Sequence, residues 1–324
     1  MRRSTRLLAL AVVFAAAACT PETRYLEAFK TLPTLPLPMP AAAPTPPPAA
    51  PKPLNSSKPA WLSVPDWGMQ TASYDQRGLA PIAASAKGMV IVGRHNALGQ
   101  PWPRAEVDAA AENKWLLAYM AVGEAQKSEW YWQNGWGVGN PPWIVGNNPY
   151  FANNVYADLA SRDWWNLQFA TLDRIIDQGF NGVFLDVPDI YWLPGYPGGP
   201  SRENMAKAVN LVCALAQHGR ARVPGFKLVP NNAINLTSDF PGYANCIDGQ
   251  LVEGLWYINI GGPPRDEFYR HQKVEELRSV SAAGKPIFSL DYAPDYHIEL
   301  VTVEARKQGY LPYVTPGGGD APLR

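Results

Sequence analysis

Several short stretches of this 324-residue chain end in residues able to do acid–base chemistry. Glu124 follows the apolar run 115–122 and Asp186 closes 182–185. Asn231 and Asn232 follow 226–229, Glu253 follows 250–252, and Asp291 follows 286–290. Each run has the length of a β-strand. Four carboxyl groups and two amides at strand ends suit the cleavage of a glycosidic bond. One carboxylic acid protonates the leaving oxygen, while a second carboxylate attacks the anomeric carbon or activates water. Crowding lets repulsion and burial raise one pKa while the other group stays ionised. A single acid at such a position serves equally well as a helix cap; four together, flanked by Trp and Tyr, favour function. His95, His218, His271 and His297 lack ligand spacing, so neither a metal nor another cofactor is expected.

The elements that must position these residues alternate. Strand-like runs at 61–65, 89–92, 115–122, 182–185, 226–229, 250–252, 286–290 and 310–314 are interleaved with helical patterns. Those helices are expected at 76–86, 106–112, 163–178, 201–218, 266–283 and 295–308. An insertion at 123–161 is rich in Trp, Gly, Asn and Pro, and holds Trp130, Trp132, Trp136 and Trp143. Eight strand–helix alternations predict an α/β chain folded as a single-domain (β/α)8 TIM barrel over 60–324, in which the C-terminal strand ends share one mouth. No Gly-rich phosphate fingerprint follows the first run, which argues against an open nucleotide-binding sheet.

The N-terminus is not part of that fold. Arg2, Arg3 and Arg6 precede an apolar stretch at 7–18 that ends in Ala16-Ala17-Ala18-Cys19. This reads as a lipoprotein signal peptide over 1–18, with lipidation of Cys19; simple secretory cleavage after an alanine is the other reading. Thr20 after the cysteine resembles outer-membrane sorting in a bacterial envelope. Residues 19–59 are crowded with Pro and Ala and form a tether of polyproline II character. The 28 basic and 28 acidic residues balance, and loss of the three leader arginines leaves 25 against 28. Nothing in that balance suggests a nucleic-acid partner. Cys213 and Cys246 read most simply as two separate buried thiols, with a disulfide as the alternative in an oxidising compartment.

Longer matches resemble one family. Tyr119-Met120-Ala121-Val122-Gly123-Glu124-Ala125, Gly179-Phe180-Asn181-Gly182-Val183-Phe184-Leu185-Asp186, Asn231-Asn232, Val252-Glu253-Gly254-Leu255-Trp256-Tyr257 and Ser289-Leu290-Asp291-Tyr292-Ala293 occur in order. They are similar to segments of glycoside hydrolase family 114, the endo-α-1,4-polygalactosaminidases. The resemblance implies a retaining hydrolase acting on a galactosamine-rich polysaccharide, with Asp186 as nucleophile and Glu253 as general acid/base. It implies that Glu124, Asn231 and Asp291 line the −1 subsite, with Tyr119, Tyr257 and Tyr292 as further binding residues and Trp192 as a stacking residue. A monomer, tethered to the membrane by its lipid, is expected. After Asp186 the family shows Asn-Val-Asp, whereas this chain has Val187-Pro188-Asp189, and Pro188 removes a backbone donor. The alternatives are a carbohydrate-binding lipoprotein without catalysis, and a hydrolase or transglycosylase for another α-glycan.

Overall fold

A computed structural model describes residues 58–324; the signal peptide, Cys19 and nearly all of the tether lie outside the described residues. In chain order the strands are β1 (Trp67–Gln70), β2 (Met89–Val92), β3 (Trp115–Ala121), β4 (Glu124–Gln126), β5 (Ile144–Asn147), β6 (Asn154–Ala157), β7 (Gly182–Asp186), β8 (Lys227–Pro230), β9 (Gln250–Glu253), β10 (Ile287–Asp291) and β11 (Leu311–Val314). Eight of them lie in two parallel sheets, ordered β1-β2-β3-β7-β8 and β11-β10-β9. A parallel bridge between Asn231 and Leu251 joins β8 to β9. At the other margin the Trp67 indole donates to the Leu311 carbonyl at 2.7 Å.

Side chains alternate between two faces, as the strand period of two requires. Val90, Leu116, Ala118, Val183, Leu185 and Leu228 join helix residues such as Val107, Leu172, Ile175 and Leu215 in one core. The opposite face gives a second core shared by both sheets, with Trp67, Ile91, Leu117, Phe184, Val229, Leu251 and Phe288. Burial on both faces explains why these strands read as continuous apolar runs.

The main helices follow from ordinary signals. Arg162–Gln178 buries Trp164, Leu172, Ile175 and Ile176 and stops at Gly179, whose φ of 102° suits a left-handed cap. Ser201 caps Arg202–Arg222 by accepting from the Asn204 amide, and Asp266 caps Glu267–Ala282 by accepting from Tyr269. Among the described residues no helix is long and apolar enough to cross a membrane.

Three expectations need correction. The first strand is Trp67–Gln70, not 61–65; Trp61–Ser63 forms a 3-10 turn between Pro59 and Pro65, neither of which can donate to a ladder. The 123–161 insertion contains an antiparallel sheet, β4-β6-β5, which its Gly, Asn and Pro content had obscured. Cys213 and Cys246 are not separate thiols. They form a disulfide with Cα atoms 4.8 Å apart, because the short helix Tyr243–Cys246 packs on Arg202–Arg222. Replacing both by Ala is expected to destabilise the fold by about 2–4 kcal/mol. Denaturant unfolding with and without reductant checks this: reductant should weaken wild type and leave the double variant unchanged.

Candidate active site

The C-terminal ends of β3, β7, β8, β9 and β10 are neighbours, and residues continuing the phase of the shared core meet there. In β7 that phase runs from Phe184 to Asp186, in β8 from Val229 to Asn231, and in β9 from Leu251 to Glu253. The result is a chain of hydrogen bonds. The Tyr119 hydroxyl donates to Asp186 Oδ2 at 2.5 Å. Asn231 Nδ2 donates to Asp186 Oδ1 at 3.0 Å and to Glu253 Oε2 at 2.7 Å. The Tyr292 hydroxyl donates to Glu253 Oε1. One primary amide has two N–H protons, and here each serves one carboxylate.

Burial pushes the Glu253 carboxyl above the ordinary carboxylate range, and the nearby negative charge of Asp186 pushes it in the same direction. The hydrogen bonds from Tyr292 and Asn231 oppose that rise. Asp186 likewise receives two donors, from Tyr119 and Asn231. The pair thus sets a buried carboxyl group inclined to hold a proton beside a second carboxyl group bonded to the same amide. Asp189, three residues beyond Asp186, is a third acid close to the pair. Loss of solvent, and then the charge of Asp186, raise it to about 7. Between them Val187 adopts φ 55°, a left-handed conformation that a β-branched residue rarely takes. The turn sends the Val187 carbonyl across Gly123, where any Cβ would overlap it.

The other expected residues fall in different places. Glu124 is buried on β4; Asn148 donates to its Oε2 at 2.7 Å and Asn154 to its Oε1, so both oxygens hold the β5–β6 hairpin. Burial raises the pKa of its carboxyl. Asp291 is fully buried. It shares the strand phase of Ser289, opposite to that of Tyr292, and its Oδ1 accepts from the Trp256 and Tyr257 amides at 2.7 and 2.9 Å. It therefore fixes the loop after Glu253 from behind. Tyr257 is buried, with its hydroxyl against His297 Nδ1. Trp192 is exposed on the turn that follows Asp189.

Sequence reading missed three positioning residues, Asn148, Asn154 and Gln250, and gave Asn232 no positioning role. Asn148 and Asn154 hold Glu124, and the Asn232 side-chain Oδ1 accepts from the Glu253 backbone amide at 3.1 Å. Gln250, fully buried, donates to the carbonyls of Pro230 and Leu251 at 3.1 and 2.8 Å where β8 meets β9. A polar residue opening an apolar strand was the one available signal.

Parallel strands ending in two carboxyl groups that share one amide carry the groups that cleavage of a glycosidic bond needs. The chain belongs to glycoside-hydrolase family GH114, whose model matches residues 98–320. An uncharacterised protein of Deinococcus radiodurans is 37% identical over 260 residues, covering 80% of this chain and 82% of that protein. The glycoside hydrolase domain of PelA from Pseudomonas aeruginosa has a similar fold: TM-score 0.62, 19% identity, and coverage of 81% of this chain and 98% of that one. Aspergillus fumigatus Ega3, solved with galactosamine, matches at TM-score 0.59 and 12% identity, covering 83% of this chain and 97% of Ega3.

Two measurements follow from this geometry. Tyr292→Phe removes a donor that favours the ionised form of Glu253, so the Glu253 titration should move to higher pH; carbon NMR of labelled Glu side chains reads it, and a downward shift would contradict the assignment. Burial raises folded Asp291 from 3.8 to about 7. The folded state therefore holds its proton more tightly, and this group's contribution to stability falls as pH rises from about 4 to about 7. Asp291→Asn has no such charge, so its stability relative to wild type should improve by up to about 4 kcal/mol between about pH 4 and pH 8. Denaturant melts at the two pH values test this.

Proposed function

We propose that this chain is a retaining endo-hydrolase of an α-linked, galactosamine-rich polysaccharide. It acts as a monomer on a closed (β/α)8 barrel spanning 60–324, anchored to a bacterial envelope by lipid on Cys19 through the 19–59 tether. The Asn231–Leu251 bridge and the Trp67–Leu311 bond support closure of the sheet. The Ala16-Ala17-Ala18-Cys19 sequence supports the anchor.

The observation that carries the mechanism is the Asn231 amide bonded to both carboxylates at 3.0 and 2.7 Å. Two oxygens bonded to one nitrogen lie no farther apart than the sum of those bonds. That keeps them below the roughly 6.5–9.5 Å that leaves room for a water in inverting enzymes, and near the roughly 5–5.5 Å of retaining ones. Protonated Glu253 gives its proton to the leaving oxygen as Asp186 attacks the anomeric carbon, forming a glycosyl ester. Glu253, now a carboxylate, takes a proton from water as that water attacks the same carbon and frees Asp186. Burial favours the protonated start, and Tyr119 and Asn231 steady the charge on Asp186. Acidic groups at the mouth attract an ammonium-bearing sugar, an effect screened by salt. The galactosamine bound to Ega3 is in keeping with that substrate class.

The test is mass spectrometry of products from partly deacetylated α-1,4-galactosamine polymer. Wild type should release oligosaccharides whose first-formed anomer is α by proton NMR. Asp186→Asn and Glu253→Gln should each lose at least about 10²–10⁴-fold in rate while melting like wild type. Near-normal turnover by either variant would remove the assignment. Binding of the polymer without cleavage by wild type would favour the carbohydrate-binding reading instead.

A further inference from the structure

Exposed aromatic residues lie on the hairpin that Glu124 holds and on the turn that follows Asp186 and Asp189. Tyr150 and Phe151, 55% and 63% exposed, sit at the tip of the β5–β6 hairpin. Trp192, 46% exposed, ends the 3-10 turn Ile190–Trp192. The hairpin and the chain after Trp192 are in contact: the Tyr156 hydroxyl of β6 donates to the Pro194 carbonyl at 3.0 Å, and a Cβ on Gly146 of β5 would lie 3.6 Å from the Gly195 carbonyl.

One residue fixes the hairpin tip relative to the site. Asn148 Nδ2 donates to Glu124 Oε2 at 2.7 Å, while its Oδ1 accepts from the Tyr150 and Phe151 amides at 2.8 and 3.2 Å. The backbone that carries the two aromatic residues is thus held in place, which lowers the cost of ordering it on binding. Large aromatic side chains left in water beside a polar cleft, on a preordered backbone, are what a ligand-stacking surface needs. Asn148 and Glu124, both buried, tie the hairpin tip to the neighbourhood of Asp186, whose charge acts on Glu124, so the fitting occupant is the rest of the molecule that fills the site.

We infer that Tyr150, Phe151 and Trp192 form a platform for sugar units of the same polymer beyond the two that flank the scissile bond. The inference rests on the hydrolase reading above. Ring faces accept the apolar face of a pyranose, and they attract the ammonium of a 2-amino sugar through the aromatic quadrupole. A distant subsite of this kind contributes only when the chain is long enough to reach it. It therefore makes kcat/KM rise with oligomer length, mainly through KM, because the contact is equal in ground and transition states.

The experiment compares wild type with Tyr150→Ala/Phe151→Ala, using α-1,4-galactosamine oligomers of increasing length. The readout is the ratio of kcat/KM for the longest oligomer to that for the shortest one cleaved. In the double variant this ratio should fall by about tenfold, the order expected for lost ring contacts. A smaller fall for fully N-acetylated oligomers would mark the cation–π share. An unchanged ratio would overturn the platform. If wild type cleaves no oligomer, the hydrolase reading fails, and calorimetric binding of the same oligomers decides the platform separately. Weaker binding of long oligomers by the double variant supports it, and equal binding overturns it.

Discussion

Two carboxyl groups held on either side of one amide nitrogen repel each other, and much of the site exists to accommodate that repulsion. Asn231 spends both N–H protons on it, one toward Asp186 and one toward Glu253. Tyr119 and Tyr292 supply the outer donors, so each carboxylate is bonded on both sides. The arrangement works only if β7, β8 and β9 are adjacent and level. Register provides this: Leu185 pairs with Pro230, and Asn231 bridges Leu251. A slip of one residue in β8 would turn Asn231 toward the helices and leave the two charges facing each other.

The junction of the two sheets lies directly beneath this bridge and has its own requirement. Carbonyl groups there must be bonded even where the ladder is reduced to a single bridge. The buried Gln250 side chain supplies donors to Pro230 and Leu251, and Asn232 turns back to accept from Glu253. Behind Glu253, Asp291 grips two consecutive amides of the following loop. A carboxyl group kept out of water for this purpose has a raised pKa, here about 7. Positioning the acid thus places a second titrating group close to it.

The insertion after β3 is organised by the same economy of polar contacts. Glu124 has both oxygens occupied by Asn148 and Asn154, so it holds the β5–β6 hairpin against the end of β3. Trp132, Trp136, Trp143 and Trp164 pack edge-on or tilted in succession beneath that hairpin, which accounts for much of the insertion's tryptophan as core. Tyr150 and Phe151 at the hairpin tip, Trp130 in the first part of the insertion and Trp192 on the neighbouring turn remain exposed.

Much of the fold was legible in the sequence because strand and helix periods are local. Seven of the eight parallel strands fall where apolar runs predict them, and the principal helices begin at their Ser and Asp caps. The carboxyl groups at strand ends were likewise visible, as was the family they resemble. What the sequence could not supply was phase and neighbourhood. Asp291 closes β10 and Tyr292 follows it, yet only Tyr292 points to Glu253, because successive residues of extended chain face opposite ways. The pairing of Cys213 with Cys246 and the hold of Asn148 on Glu124 join residues 33 and 24 apart. No local pattern encodes such contacts, since their free energy appears only once packing has brought the partners together. The sequence by itself determined which residue types stand at the strand ends; the tertiary structure decided which of them share a hydrogen bond and which are buried, because register and burial exist only once the strands are paired.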